Sequence, residues 1–211
     1  MNHSPATVFV VDDDPAVLKS LARLLRSARL EAATFNSPKE FLEKHDPRAP
    51  GCLVLDVAMP GLNGLELQEA LAAKASAIPI IFLTGHGDIP MSVQAMKRGA
   101  VDFLTKPVND DDLLKAVGIA IEKDRSQRQA RAEVAAIQQR LDTLTPRERE
   151  VMEHVIAGHL NKQIAADLGT GEHTIKVHRA RVMEKMGVVS LADLVRAAER
   201  LGLRKSGSSD A

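Results

Sequence analysis

The chain has 211 residues, of which 45% are apolar and 27% charged, with a formal net charge of zero. That balance fits a soluble globular protein of one or two domains and excludes a chain too polar to form a core. No apolar stretch reaches the length of a membrane span, so no membrane partner is expected. Tryptophan and tyrosine are absent, which argues against a single-strand nucleic-acid binder built on aromatic stacking. Cys52 is the one cysteine, which excludes an internal disulfide; at the start of an apolar run it reads as a small core residue. Residues 1–5 carry neither the basic nor the apolar block of a signal peptide, so a cytoplasmic location is expected. The neutral total hides a weak asymmetry. Residues 1–120 carry 12 basic and 15 acidic side chains, and residues 121–211 carry 16 and 13. The second half can meet a polyanion, although the excess alone does not establish it.

The first half alternates two patterns. Val8–Val11 is an apolar run that ends in Asp12-Asp13-Asp14. Pro15–Ala28 spaces Val17, Leu18, Leu21, Leu24 and Leu25 as a helix does. Glu31–Phe35 is a weaker strand. In Ser37-Pro38-Lys39-Glu40, Ser37 reads as N-cap, Pro38 as first helical residue and Glu40 as the partner that completes a capping box. Cys52–Leu55 is a second buried run ending in Asp56, Ile80–Ile81–Phe82–Leu83 a third ending in Thr84, and Val101–Leu104 a fourth followed by Thr105-Lys106-Pro107. Leu65–Ala75, Met91–Arg98 and Asp111–Glu122 supply further helices. Five strands alternating with five helices predict an α/β doubly wound parallel sheet, flavodoxin-like, because right-handed crossovers place a helix between parallel strands.

Open α/β sheets bind ligands beyond the carboxyl ends of their strands. Two carboxylate clusters, a hydroxyl and a lysine delivered to that edge suit a hard divalent cation, Mg²⁺ or Mn²⁺, beside a transferable phosphoryl group. Crowded carboxylates repel, and a divalent cation relieves the repulsion. Thr84 can hydrogen-bond a phosphoryl oxygen and Lys106 can neutralise another. Asp14 reads as a bystander.

Residues 121–142 are polar and free of Gly and Pro, which favours helix over coil. Val134, Ile137, Leu141 and Leu144 form a sparse apolar stripe, consistent with a semi-rigid linker helix or a dimerising one. Thr145-Pro146-Arg147-Glu148 then opens a helix with a capping box. Asn161–Leu168, Glu172–Met186 and Leu191–Leu201 are three more helices, each stopped by a glycine. Four short helices with tight Gly-containing connections suit an all-α helix-turn-helix module. In Glu172–Met186, the stripe Ile175, His178, Val182 and Met186 faces inward, which makes His178 structural. The opposite face carries His173, Lys176, Val177, Ala180, Arg181 and Glu184, and such a helix can enter a DNA major groove. Lys176 suits a guanine edge or a phosphate and Val177 a thymine methyl; Lys162, Thr174, Arg179 and Arg181 suit phosphates.

The stretches Val11-Asp12-Asp13-Asp14, Leu55-Asp56-Val57-Ala58-Met59-Pro60-Gly61, Thr84-Gly85-His86-Gly87-Asp88 and Ala100–Pro107 resemble the response-regulator receiver domain of two-component systems, over residues 6–122, and look closest to the FixJ branch. Leu144–Val151, Asn161–Ala165, Thr174–His178 and Lys185–Val188 resemble the LuxR/NarL-type helix-turn-helix, over residues 141–203. The resemblance implies that Asp56 accepts phosphate from a sensor histidine kinase, that Asp12, Asp13, Asp56 and the backbone carbonyl of Ala58 hold Mg²⁺, that Thr84 and Phe103 form a switch pair, and that Lys106–Pro107 is cis. It also implies that Glu172–Met186 is the recognition helix and Leu191–Leu201 a dimer helix. One departure is Gly171, where the family commonly has a serine cap; either the helix starts loosely there or Thr170 caps it one residue early.

The expected layout is a receiver at 1–122, a helical linker at 123–140, a DNA-binding domain at 141–204 and a disordered tail at 205–211. The expected function is that of a regulator that dimerises on phosphorylation, binds double-stranded promoter DNA and activates transcription with RNA polymerase. Its only chemistry would be Mg²⁺-dependent phosphorylation and dephosphorylation of itself. The rival reading is a phosphorylation-independent regulator or interaction module on the same fold.

Overall fold

The computed structural model describes residues 5–74, 76–85 and 89–203. The expected tail at 205–211 and the His86-Gly87-Asp88 part of the third motif lie outside the described residues. Among the described residues the chain forms five strands and nine helices. It divides into two compact units, residues 1–128 and 129–211.

The first unit is a five-stranded parallel sheet in the order β2-β1-β3-β4-β5. The strands are β1 (Thr7–Val11), β2 (Glu31–Phe35), β3 (Gly51–Asp56), β4 (Ile80–Thr84) and β5 (Asp102–Thr105). The helices are α1 (Pro15–Ser27), α2 (Pro38–Lys44), α3 (Gly64–Ala73), α4 (Ile89–Lys97) and α5 (Asp110–Asp142), the last shared with the second unit. The doubly wound fold expected from the alternating patterns is present. Side chains alternate across the sheet, so two apolar layers form. Phe9, Val11, Leu53, Leu55 and Phe82 pack one face with Phe41, Leu67 and Leu71. Val8, Val10, Val54, Ile81 and Leu83 pack the other with Leu21, Leu25, Leu113 and Val117. Strands β1, β3 and β4 are central and almost wholly buried, which explains their unbroken apolar runs. β5 departs from expectation: it is an edge strand, only partly buried, and it includes Thr105.

Local details refine one predicted helix start and add another. Ser37 caps α2 by accepting from the Glu40 N–H at 3.3 Å, but the Glu40 carboxylate accepts from the N–H of Asn36 instead of closing the box on Ser37. A capping box that the composition did not suggest, Asn63 with Glu66, starts α3.

The polar segment after Glu122 is helical, and its first turns are held to the first unit. Asp124 is buried. It accepts from the Gly51 N–H at 2.9 Å and pairs with Arg128 at 2.7 Å. Arg128 in turn donates to the carbonyls of Arg48 and Ala49. A helical linker was expected from residue 123 onward; the buried pair within it could not be seen from the polar string that contains it. Cys52 is buried as expected, and burial pushes its thiol up to about 12, so it is inert.

The second unit contains the end of α5 with α6 (Pro146–Ile156), α7 (Asn161–Asp167), α8 (Glu172–Met186) and α9 (Leu191–Arg200). Its core joins Leu141, Leu144, Val151, Met152, Val155, Ile164, Ile175, Val182, Met186 and Leu194, with Ile137 partly buried against it. Three of the four residues of the sparse stripe thus pack within this unit, and Val134 stays exposed. The Thr145–Glu148 capping box is formed as the sequence predicts. Glu148 is buried and also accepts from Lys185 at 2.6 Å, which ties α6 to α8; that hydrogen bond and those from Thr145 hold its carboxyl below the ordinary range.

Asp124→Ala should lower the stability of the first unit by about 1–3 kcal/mol, because it leaves a buried N–H without an acceptor and a cation without its partner. Urea unfolding should show a lower midpoint with an unchanged slope. Arg125→Ala, which breaks only the exposed 3.9 Å pair with Glu122, should leave the midpoint in place.

Candidate phosphoryl site and DNA-facing helix

The strand order places β1 beside β3 and β3 beside β4, so their carboxyl ends converge at one edge. Asp12 follows β1, Asp56 is the last residue of β3 and Thr84 the last of β4. Asp12, Asp56 and Thr84 are buried, and Asp13 is exposed. The ligand oxygens of Asp12, Asp13 and Asp56 lie within 4.8 Å of one another. Lys106 reaches in from the end of β5. Its Nζ lies 2.6 Å from Asp12 Oδ2 and 3.1 Å from Asp56 Oδ2, so one ammonium serves two buried carboxylates. The Lys106 N–H donates to the Thr84 carbonyl at 2.7 Å, which fixes the strand that carries the lysine. The Lys106–Pro107 bond is cis, as the resemblance implies.

The electrostatics follow from this crowding. Burial pushes the Asp56 carboxyl above its ordinary value of 3.8; the Lys106 bond and the Ala58 N–H, 3.4 Å from Oδ1, pull against it, while the Asp12 charge adds to the rise. Burial draws the Lys106 ammonium down, but its bonds to Asp12 and Asp56 outweigh that and raise it. Three carboxylates against one ammonium leave an excess of negative charge in a set of hard oxygen donors. That set fits Mg²⁺ or Mn²⁺ in its chemistry.

The loop after β3 is shaped to this site. The Gly64 N–H donates to the Val57 carbonyl at 3.1 Å, and a Cβ on Gly64 would lie 2.4 Å from the Asp56 carbonyl oxygen. Only glycine permits the start of α3 to approach Asp56 so closely. Asp14, expected as a bystander, caps α1: its side chain accepts from Ala16 N–H, and its own N–H donates to Asp12 Oδ1 at 2.9 Å. Sequence reasoning missed that role, although Asp before Pro15 is a helix-start signal. Phe103 is half-buried with its ring centroid 6.0 Å from that of Phe82. Ala58 lies exposed in the loop two residues beyond Asp56.

In the second unit, α8 buries Ile175, Val182 and Met186, with His178 half-buried. The inward stripe is therefore as predicted. Lys176, Val177, Thr174, Ala180 and Arg181 are exposed on α8, and Lys162 is exposed on α7. Lys176 makes an exposed ion pair with Glu172 at 3.4 Å. Arg179 differs from the other predicted phosphate contacts: it is half-buried and donates to Asn161 Oδ1 at 3.1 Å, which links α8 to the start of α7. Gly171 is the N-cap and provides no side-chain bond, so Thr170 does not cap the helix early.

Residues 8–118 match the family model of the response regulator receiver domain, and residues 142–198 that of the luxR family of bacterial regulatory proteins. The chain is a DNA-binding two-component response regulator of the LuxR/FixJ type. It is 52% identical over 198 residues to nodulation protein W of Bradyrhizobium diazoefficiens, covering 94% of this chain and 87% of that protein. It is 45% identical over 196 residues to the transcriptional regulatory protein FixJ of the same organism, covering 93% and 96%. Among solved structures, this response regulator resembles StyR with a TM-score of 0.85 and 49% identity, covering 93% of this chain and 100% of that one. A structure of FixJ-N matches with a TM-score of 0.53 and 41% identity, over 57% of this chain and 96% of that one. No described helix of this regulator is long and apolar enough to cross a membrane.

The raised Asp56 carboxyl has a stability consequence. The folded state holds this proton more tightly than the unfolded state, so above both values the ionised carboxylate costs stability, and the cost disappears as pH falls through the folded value. In buffer free of divalent ions, Asp56→Asn should therefore be more stable than the natural protein at neutral pH. The gap should narrow as pH is lowered toward 3.8, the ordinary value. Urea midpoints across that range test this; a gap that does not depend on pH would refute it.

Proposed function

We propose that Asp56 is the phosphoacceptor of this regulator and that a sensor histidine kinase is the donor. The observation that carries this reading is the buried Asp56 carboxylate at the end of β3, sharing the Lys106 ammonium with Asp12. An Asp56 oxygen forms the O–P bond as the N–P bond to the donor imidazole breaks, and the imidazole takes up a proton. Lys106 neutralises one phosphoryl oxygen, and the Thr84 hydroxyl hydrogen-bonds another. Asp12, Asp13, Asp56 and the carbonyl of Ala58 would hold Mg²⁺ or Mn²⁺, which supplies charge that offsets carboxylate repulsion and the charge on the phosphoryl oxygens.

The new phosphoryl group adds charge and acceptor oxygens at Asp56. Thr84 moves toward it and vacates space beside β5, which the Phe103 ring fills. The surface built on α4 and β5 changes with it. Val93 and Met96 are exposed on α4, and this face mediates homodimerisation. The regulator then binds double-stranded promoter DNA as a dimer, with half-sites about one helical turn apart, and activates transcription through RNA polymerase in the cytoplasm. Within each copy the outer face of α8 enters the major groove. Lys176 and Val177 address base edges, with Ala180 beside them on the groove-facing side, and Lys162, Thr174, Arg179 and Arg181 make the backbone contacts. Release of Arg179 from Asn161 would accompany its use on a phosphate. α9 forms the dimer contact of the output domain. Self-phosphorylation and loss of the phosphoryl group are the only reactions, so regulation describes the protein better than catalysis.

Asp56→Asn should abolish labelling by acetyl phosphate with Mg²⁺; a labelled variant would remove Asp56 from the acceptor role. Lys176→Ala should weaken promoter binding by about tenfold or more, the range of a lost base contact, with receiver labelling intact. Unchanged promoter affinity would show that this face of α8 is not the reader.

A further inference from the structure

One group of ligating side chains lies outside the acidic pocket and the outer face of α8. His154 is in the last turn of α6, His159 is in the loop that follows, and Asp167 is the last residue of α7. Their ligand atoms lie within 4.8 Å of one another. The Nδ1 atoms of the two histidines are 2.9 Å apart, and Asp167 Oδ2 is 3.7 Å from each.

The backbone explains why these rings meet. Ala157 is the C-cap of α6, and Gly158 follows in the left-handed region with φ 86°. The Gly158 N–H donates to the Val155 carbonyl and the His159 N–H to the His154 carbonyl, both at 3.1 Å. These two bonds make a Schellman turn, which folds the second residue beyond the cap back over the last helical turn. The two side chains brought together in this way commonly make an apolar contact. Here both are imidazoles. Asp167 is delivered from the other side because Ile164 and Ala165 are buried and seat α7 on the same core.

We propose that His154, His159 and Asp167 form a site for a divalent transition ion of the Zn²⁺ class, with water completing the coordination. Two ring nitrogens aimed at each other at this distance need a proton or a cation between them. Metal bonds of about 2.0–2.1 Å put neighbouring ligand atoms roughly 3.0–3.4 Å apart, between the separations seen here. Two imidazoles with one carboxylate select zinc, nickel or copper over magnesium and calcium, so the site is chemically distinct from the all-oxygen pocket of the receiver. The ion would tie the end of α6 to the end of α7, the first helix of the helix-turn-helix. Its occupancy would stiffen the output unit independently of phosphorylation.

Full-length protein without an affinity tag, in a large excess of Mg²⁺ to fill the receiver pocket, is titrated with Co²⁺ and followed by visible absorption. One equivalent should give the ligand-field bands of imidazole-bound cobalt, and Zn²⁺ should displace it. The unfolding temperature of the second unit should rise with Zn²⁺, as linkage requires of an ion that binds the folded state. The double variant His154→Ala/His159→Ala should lose both effects. Asp167→Asn changes only an exposed carboxylate, so it keeps the fold, and it should weaken the titration at least about tenfold, the loss typical even of an outer-shell partner. No cobalt bands, or bands of equal strength in the double variant, would overturn the site and leave the two histidines as a simple hydrogen-bonded pair.

Discussion

The receiver depends on one electrostatic constraint: two buried carboxylates, Asp12 and Asp56, balanced by a single lysine. Parallel pairing of β1 with β3 puts both acids at the same sheet edge. Burial raises the free energy of the ionised Asp56, and neither acid can move away, because each is anchored at the end of a central buried strand. Lys106 answers both, but its one charge does not neutralise the pocket. The result is a site with a standing demand for positive charge and a carboxylate oxygen already desolvated, the conditions that the proposed cation and phosphoryl group would exploit. The surrounding details serve the same constraint. Gly64 lets α3 approach Asp56, Asp14 braces Asp12 while it caps α1, and the Thr84 carbonyl holds the backbone of Lys106.

The output unit holds the long helix α8 in place from several sides. α8 is held from within by Ile175, Val182 and Met186. Laterally it is held by Lys185 on Glu148 and by Arg179 on Asn161. At its start, Gly171 caps α8 without a side-chain bond. The stretch that the composition marks as a linker is divided between two duties. Asp124 is fastened to the first residue of β3 and Arg128 to the turn before it, whereas Ile137, Leu141 and Leu144 complete the core of the second unit. Both duties are carried by the one helix α5, whose polar surface concealed them.

Much of this was legible in the residues. Apolar runs that end in acids predicted the parallel sheet and the edge at which those acids gather, because strand periodicity and strand-end placement are local. The Thr145–Glu148 capping box and the inward stripe of α8 were also readable, since each lies within a few residues. Asp124 was not readable, since its partner Gly51 is 73 positions away. The Glu40 carboxylate could not be assigned between Ser37 and Asn36 without the backbone path. The partial exposure of β5 follows from its place at the sheet edge, which no property of Val101–Leu104 encodes. His154, His159 and Asp167 are separated by ordinary spacings and meet only through a left-handed turn and the packing of α7.

The sequence by itself therefore determined which residues carry charge to the sheet edge, which helices have an apolar stripe, and the family to which the chain belongs. These depend on periods of two and 3.6 residues and on short motifs. Tertiary structure alone decided that Lys106 bridges Asp12 and Asp56, that Arg179 is tied to Asn161, and that two imidazoles face one another at the end of α6. The first two are contacts across the fold, set by how the elements pack once their apolar faces are buried; the third follows from the left-handed turn at Gly158, a backbone path that the residue spacing does not display.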